Sequence, residues 1–247
     1  MLDIHCHILP GVDDGSPDLA TSLEMARILV EAGFEGVAPS PHLGEGPGGN
    51  VGIQKAVEKR QFLQSQLIQN DIPLRLYANA EHHITPTLFS RIDTGDVVPL
   101  GEGGRWLLVE LPWKSVPRVE DIFFRLALKG YFLILAHPER YSYLDVDTVG
   151  RLVDRGIKMQ LELGSFVNLY GRRAKQNAEK ILSKHWGHVL ATDMHHAKDT
   201  RAWLAKSLKL LRKRYGQKLL DEGVRDNPMA LLKCAQPHTV EPCTLSL

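Results

Sequence analysis

Residues 131–140 read Tyr131-Phe132-Leu133-Ile134-Leu135-Ala136-His137-Pro138-Glu139-Arg140. An apolar run this short, closed by a proline, fits a buried strand better than a helix. It ends in an ionisable residue, and that ending recurs along the chain. Trp106-Leu107-Leu108-Val109 runs into Glu110, and His188–Thr192 runs into Asp193-Met194-His195-His196. Further strand patterns cover Leu2–His5, Gly36–Pro39, Leu74–Asn79 and Lys158–Leu163. Between them, helical patterns cover about 17–33, 52–70, 117–129, 146–155, 172–184 and 199–214. The first opens at Ser16-Pro17-Asp18, read as an N-cap serine with proline at the first helical position. This alternation, without a linker, predicts a single α/β domain with a largely parallel sheet. Charged or imidazole side chains follow nearly every strand, which favours a closed or distorted barrel over an open sheet. Barrel enzymes gather their chemistry at the C-terminal ends of all strands, whereas an open sheet converges only at a switch point.

Composition excludes several classes. With 247 residues, 43% hydrophobic and 24% charged, the chain can build one sizeable core. A formal net charge of +1 supplies no global field toward nucleic acid or anionic membranes. Cys6, Cys234 and Cys243 form no CxxC motif and no even disulfide framework, so a reducing compartment fits. No apolar run approaches the roughly 18 residues that span a membrane. Residues 1–15 lack a signal's charged and apolar regions, so the cytoplasm is the expected location. Gly44-Glu45-Gly46-Pro47-Gly48-Gly49 reads as a mobile loop, and residues 236–247 as a flexible tail after a domain spanning 1–235.

The chemistry begins at His5-Cys6-His7. Side chains alternate in a strand, so the two imidazoles share a face and can share a metal ion, while Cys6 faces the other way as a small core residue. Asp13-Asp14-Gly15 sits on the loop leaving the same strand, and either aspartate could be a ligand or a turn-capping acid. His42 follows the second strand pattern, and Glu81, flanked by His82 and His83, follows the third. Glu110 ends an apolar run, an odd place for an acid unless it is paired or bound to a cation. His137, Asp193 and His195 complete the series. Each has an ordinary explanation alone, but together they have few basic neighbours to pair with. Imidazoles and carboxylates without thiolates suit zinc, manganese or iron(II) in a working site rather than a structural zinc. The ligands outnumber the needs of one ion and predict two or three. There is no GxSxG elbow, P-loop or Rossmann fingerprint.

In order and spacing, His5-x-His7, Asp14, His42, Glu81, Glu110, His137 and Asp193-x-His195 resemble the PHP (polymerase and histidinol phosphatase) superfamily. Met1-Leu2-Asp3-Ile4-His5-Cys6-His7, Val12-Asp13-Asp14-Gly15 and His137-Pro138-Glu139-Arg140 look like the bacterial manganese-dependent tyrosine-protein phosphatases of capsule and exopolysaccharide operons. The resemblance covers about residues 1–235. It implies a distorted (β/α)7 TIM-like barrel, the PHP fold, with a centre of three divalent ions, manganese foremost and iron or zinc as substitutes. It implies His5, His7, Glu81 and Asp193 at one ion, with Glu110 and His137 joined to a bridging Glu81 at the second. Asp14, His42 and His195 then hold the third, and Arg140 and Arg201 face the phosphate. The implied partner is a phosphotyrosine-bearing protein, the tail of a bacterial tyrosine autokinase controlling polysaccharide export. One stretch departs from the pattern: Leu43–Gly49 carries no cation or aromatic after His42. Phosphomonoester hydrolysis is therefore carried by more residues than selectivity for phosphotyrosine.

The expected reaction is in-line attack on phosphorus by a hydroxide that bridges two ions, without a covalent phosphoenzyme. Within the superfamily the alternative is a small-molecule phosphatase of the histidinol-phosphate type. Outside catalysis it is a metal-binding scaffold, though every ligand position here is filled by a competent residue. A nuclease would lean on Lys206, Lys209, Arg212, Lys213 and Arg214, but those fit the solvated face of an amphipathic helix.

Overall fold

The structure, a computed structural model, describes residues 1–44, 51–114 and 118–233. The expected mobile loop beyond Gly44, the expected tail at 236–247, and Cys234 and Cys243 lie outside the described residues. The strands are β1 (Leu2–Asp3), β2 (Gly36–Val37), β3 (His42–Leu43), β4 (Arg75–Leu76), β5 (Glu81–His83), β6 (Trp106–Glu110), β7 (Phe132–Ala136), β8 (Lys158–Glu162) and β9 (Gly187–Ala191). All pair in parallel, in the orders β1-β2-β4 and β3-β5-β6-β7-β8-β9.

The two sheets are halves of one wall. β2 and β3 are a single strand interrupted at Pro39-Ser40-Pro41, and β4 and β5 are another interrupted at 77–80. Proline has no N–H to give to a ladder, so the first break follows from the sequence. Pairing continues irregularly across it: Tyr77 N donates to Val37 O at 2.9 Å, and Glu81 N to Pro41 O at 3.2 Å. The wall then closes on itself through a bridge between Cys6 and Met194. Asp193 N donates to His5 O at 2.8 Å and His7 N to Met194 O at 3.0 Å. Asp3 reinforces this seam, its buried carboxylate accepting from Thr192 Oγ1 at 2.6 Å and Thr192 N at 3.2 Å. The wall therefore has seven staves in chain order, the expected distorted barrel.

The helices are α1 (Leu19–Glu31), α2 (Ile53–Gln69), α3 (Pro86–Asp93), α4 (Val119–Ala127), α5 (Val146–Asp154), α6 (Gly171–Ser183) and α7 (Thr200–Tyr215). Two short ones, α8 (Gln217–Asp221) and α9 (Asn227–Lys233), follow across a π-helical turn. Two-residue periodicity divides the core. Leu107, Val109, Leu133, Leu135, Met159 and Leu161 belong to the large cluster packed under the helices. Trp106, Leu108, Ile134 and Ala136 join Leu2, Ile4, Val189 and Leu231 in a smaller cluster inside the barrel. Leu231 comes from α9, so the C-terminal helix plugs the barrel's interior. That helix, α3, β3 and β5 were not expected from the sequence. α1 is also capped differently: Asp18 is the N-cap, accepting from Thr21 N at 2.8 Å, while Ser16 is buried and donates to Asp18 O. The aspartate reaches the amide three residues on, so the helix begins after Pro17 rather than at it. Among the described residues no helix is long and apolar enough to cross a membrane.

Candidate metal centre

Because interior residues repeat every second position, the apolar interior face continues upward into ionisable side chains. On β6, Trp106 and Leu108 are followed by Glu110, and on β8, Lys158 and Gln160 are followed by Glu162. His137 and Asp193 cap β7 and β9 in left-handed conformation, φ 35° and 48°. That geometry is uncommon for side-chain-bearing residues and turns their functional groups back over the barrel mouth. Gly15 serves the same convergence. A Cβ there would collide with the backbone of His7, so its absence lets the Asp13-Asp14 turn fold onto the first histidine pair.

The nine residues expected as ligands meet in one place. His5 Nε2 lies 3.3 Å from Glu81 Oε2 and 3.1 Å from Asp193 Oδ1, and His7 Nε2 lies 3.5 Å and 3.3 Å from the same atoms. His42 Nδ1 is 3.2 Å from Glu81 Oε2, and His137 Nε2 is 3.3 Å from Glu81 Oε1 and 3.8 Å from Glu110 Oε1. Asp14 Oδ1 stands 3.4 Å from His42 Nε2 and 3.6 Å from His195 Nε2. Ligand atoms on one ion with bonds of about 2.1 Å are separated by roughly 3.0 Å in an octahedron and 3.4 Å in a tetrahedron. The observed spacings lie near those edges. Potential ligand atoms fall into overlapping groups: His5, His7 and Glu81; His5, His137 and Asp193; His42, Glu81 and Glu110; and His7, Asp14, His42 and His195.

Neighbouring groups hold the imidazoles in one orientation. Gln160 Oε1 is 2.7 Å from His5 Nδ1, and Asp13 Oδ2 is 2.9 Å from His7 Nδ1, so both rings present Nε2 to the centre. His195 Nδ1 donates to Asp193 O at 2.9 Å. Asp13 and Asp14 thus take different positions: Asp13 is buried against His7, and Asp14 faces His42 and His195. His83 sits 3.0 Å from Glu110 Oε2, whereas His82 turns away toward Val98 O. Burial holds His82 mostly neutral, with its pKa pushed down to about 4.

The electrostatics ask for cations. Burial opposes protonation of His5 and His7, yet the surrounding carboxylates outweigh it and raise both well above the ordinary imidazole value. Glu81 and Asp193 do this for His5, and Asp13, Asp193 and Glu81 for His7. Burial would likewise raise Glu81 and Asp193, but the histidines, His5 foremost, hold both well below the carboxylate range. Asp14 is lowered by its hydrogen bonds to His195 and His42. Meanwhile His42 Nδ1, His137 Nδ1 and Asp193 Oδ1 are buried without hydrogen-bond partners. A dense set of buried imidazoles and carboxylates, with orphaned polar atoms, fits divalent cations that take the protons' place.

Arg140 stands beside this set. Its Nη1 donates to Glu162 Oε1 at 2.8 Å and Asp193 Oδ2 at 3.0 Å, and its guanidinium lies between Trp113 and Tyr170, 4.7 Å and 4.3 Å from the ring centres. Among the described residues Nε and Nη2 make no hydrogen bond, leaving donors for an anion. Arg201 is not brought here. It lies exposed on the first turn of α7, and its fork grips Glu31 at the end of α1, at 2.7 Å and 3.3 Å. In this structure that surface pair with Glu31 is what engages its guanidinium. Sequence reading missed Gln160, Glu162, Trp113 and Tyr170. The alternation Lys158-Met159-Gln160-Leu161-Glu162 was the available signal for the first two. The resulting pit holds about 240 Å³, walled by the ligand set, Trp113 and Arg140.

Comparison with known proteins accords with this geometry. The family model for capsular polysaccharide synthesis proteins CpsB/CapC matches residues 1–233. The tyrosine-protein phosphatase YwqE of Bacillus subtilis is 32% identical over 224 residues, 89% of this chain and 87% of that one. A crystal structure from work on YwqE and the Streptococcus pneumoniae CpsB, described as metal-dependent tyrosine phosphatases, superposes with TM-score 0.86 at 31% identity, covering 95% of each chain. The histidinol phosphate phosphatase of Lactococcus lactis shares the fold, with TM-score 0.54 at 12% identity, over 86% of this chain and 94% of that one.

Proposed function

The chain belongs to the CpsB/CapC family, and from that premise we propose that it is a metal-dependent phosphatase that hydrolyses phosphotyrosine on a protein. The observation that carries the reading is the double engagement of Glu81. Its Oε2 faces His5, His7 and His42, while Oε1 faces His137, so its two oxygens would each be available to a separate ion. His5, His7, Glu81 and Asp193 would hold one ion. Glu110 and His137 would share Glu81 at a second, and Asp14, His42 and His195 would hold a third. Manganese suits this nitrogen and oxygen set, with iron(II) or zinc as substitutes. When bound, adjacent divalent ions lower the pKa of water toward about 7 and offset charge on phosphoryl oxygens.

The chain's own groups do the rest. Gln160 and Asp13 keep the lone pairs of His5 and His7 aimed inward. Arg140, held by Glu162, Asp193 and two aromatic rings, turns a preorganised pair of unspent donors to the phosphoryl oxygens, where charge develops in the transition state. A tyrosyl leaving group has a pKa near 10, so it departs without a dedicated acid. The natural partner on this reading is the tyrosine-rich tail of an autokinase that controls polysaccharide export in the cytoplasm. The test uses chelated protein with Mn²⁺ restored, assayed on phosphotyrosine peptide, phosphoserine peptide and histidinol phosphate, with His7→Ala as control. Metal-dependent, phosphotyrosine-selective turnover, lost in the variant, is expected. Turnover of histidinol phosphate alone would move the assignment to a small-molecule phosphatase.

A further inference from the structure

Resting on that reading, we propose that the groove beside the pit binds an apolar residue flanking the phosphotyrosine, so that the enzyme selects substrates by their neighbouring side chain. The pit's 240 Å³ must take the ions, the phosphoryl group and the edge of the phenol, which leaves no room for polypeptide. Next to it lies a groove of about 420 Å³, and the two share Arg140, Asp193 and His195 as a common wall. A chain whose phosphate is in the pit has this groove directly beside it.

Past that wall the groove has an apolar side next to polar groups. Leu169, Tyr170 and Trp203 form that side, and Leu169 is 48% exposed. Isolated apolar exposure is ordinary, but exposure lining a groove joined to a reaction site marks a recognition surface. The groove is also preformed. Asn168, just before Leu169, and Asp199, in the lining, are left-handed at φ 68° and 60°. The first is followed by Leu169 N donating to Gly164 O at 3.1 Å, and the second by Thr200 Oγ1 donating to His196 O at 2.6 Å. Lys198 and Asp199, of opposite charge, line it as well. A leucine or an aromatic side chain next to the phosphotyrosine matches this surface.

The experiment compares two phosphotyrosine peptides that differ only in leucine or glycine beside the phosphotyrosine, tried on each side. Mn²⁺-loaded wild type, Trp203→Ala and Leu169→Ser are assayed on both, with p-nitrophenyl phosphate in parallel. Wild type is expected to favour the leucine peptide by about tenfold in kcat/KM, mainly through KM, on one of the two sides. Both variants are expected to bring that ratio toward one, and Leu169→Ser does so from an exposed site that folding does not require. No leucine preference in wild type, or an unchanged ratio in the variants, overturns the groove. An equal loss on peptides and p-nitrophenyl phosphate also overturns it, since the wall would then serve the phenol or the fold. If wild type hydrolyses neither p-nitrophenyl phosphate nor any peptide, the phosphatase reading itself fails, and the groove with it.

Discussion

The barrel's two halves are built differently. From β6 to β9 the strands are five residues each and alternate between an outer face under the helices and an inner face, with one register shift where β8 meets β9. From β1 to β5 they are two or three residues long and broken by prolines and loops. Yet the broken half supplies His5, His7, Asp14, His42 and Glu81, five of the nine clustered ligands. A regular strand sends only every second residue inward, so it brings one or two groups to its mouth. An interrupted strand can bend its end across the mouth, and His42 and Glu81 lie on such ends. The regular half contributes rigidity, and the broken half contributes convergence.

The largest expected effect tests that division in the broken half. Glu81→Gln keeps the shape but removes the charge that faces four histidines. Loss of at least one ion per chain, measured by elemental analysis after gel filtration, should accompany a roughly thousandfold fall in kcat, several kcal/mol of transition-state stabilisation. Full metal content with normal turnover would break the comparison. The regular half predicts the reverse. Leu133→Ala removes a side chain that is 1% exposed beneath the helices and should cost about 2–5 kcal/mol of stability. Below its lowered unfolding transition, metal content and kcat should match wild type. A proportional loss of metal would show that the two halves are not separable.

The same division governed what could be read beforehand. β6, β7 and β9 announced themselves as apolar runs and β8 as an alternating one, and seven staves in a single α/β chain followed. β3 and β5 are too short for any period to show, so His42 and Glu81 were legible only as ions placed after apolar segments. Gln160 and Glu162 hid within a polar–apolar alternation that equally describes a strand with one face in water. Only barrel closure, a long-range fact, turns that polar face inward. Trp113 and Tyr170 lie outside the strands and helices, where pattern carries no information. Arg201 is ambiguous in another way, since a cation on a helix's first turn reads the same whether it meets a phosphate or a surface carboxylate such as Glu31.

The smallest expected effect lies at the other end of the regular half, away from the ligands. His188, near the start of β9, is buried, and its Nδ1 accepts from Met159 N at 3.1 Å, a position a proton cannot share. Burial, helped by the positive charge of Lys158, pushes its pKa down from 6.5 to about 4. The folded protein then binds fewer protons than the unfolded chain between those values, so this contribution is complete above pH 6.5 and is lost as pH falls toward 4. Between pH 7 and pH 5 it should remove about 1–2 kcal/mol of unfolding free energy. His188→Asn keeps an acceptor but cannot titrate, and urea unfolding at the two pH values should show a drop smaller by that amount. An equal drop in both proteins would place the acid sensitivity elsewhere, in the ligand cluster of the broken half. The regular half would then be a pH-indifferent scaffold, which sharpens the contrast rather than blurring it.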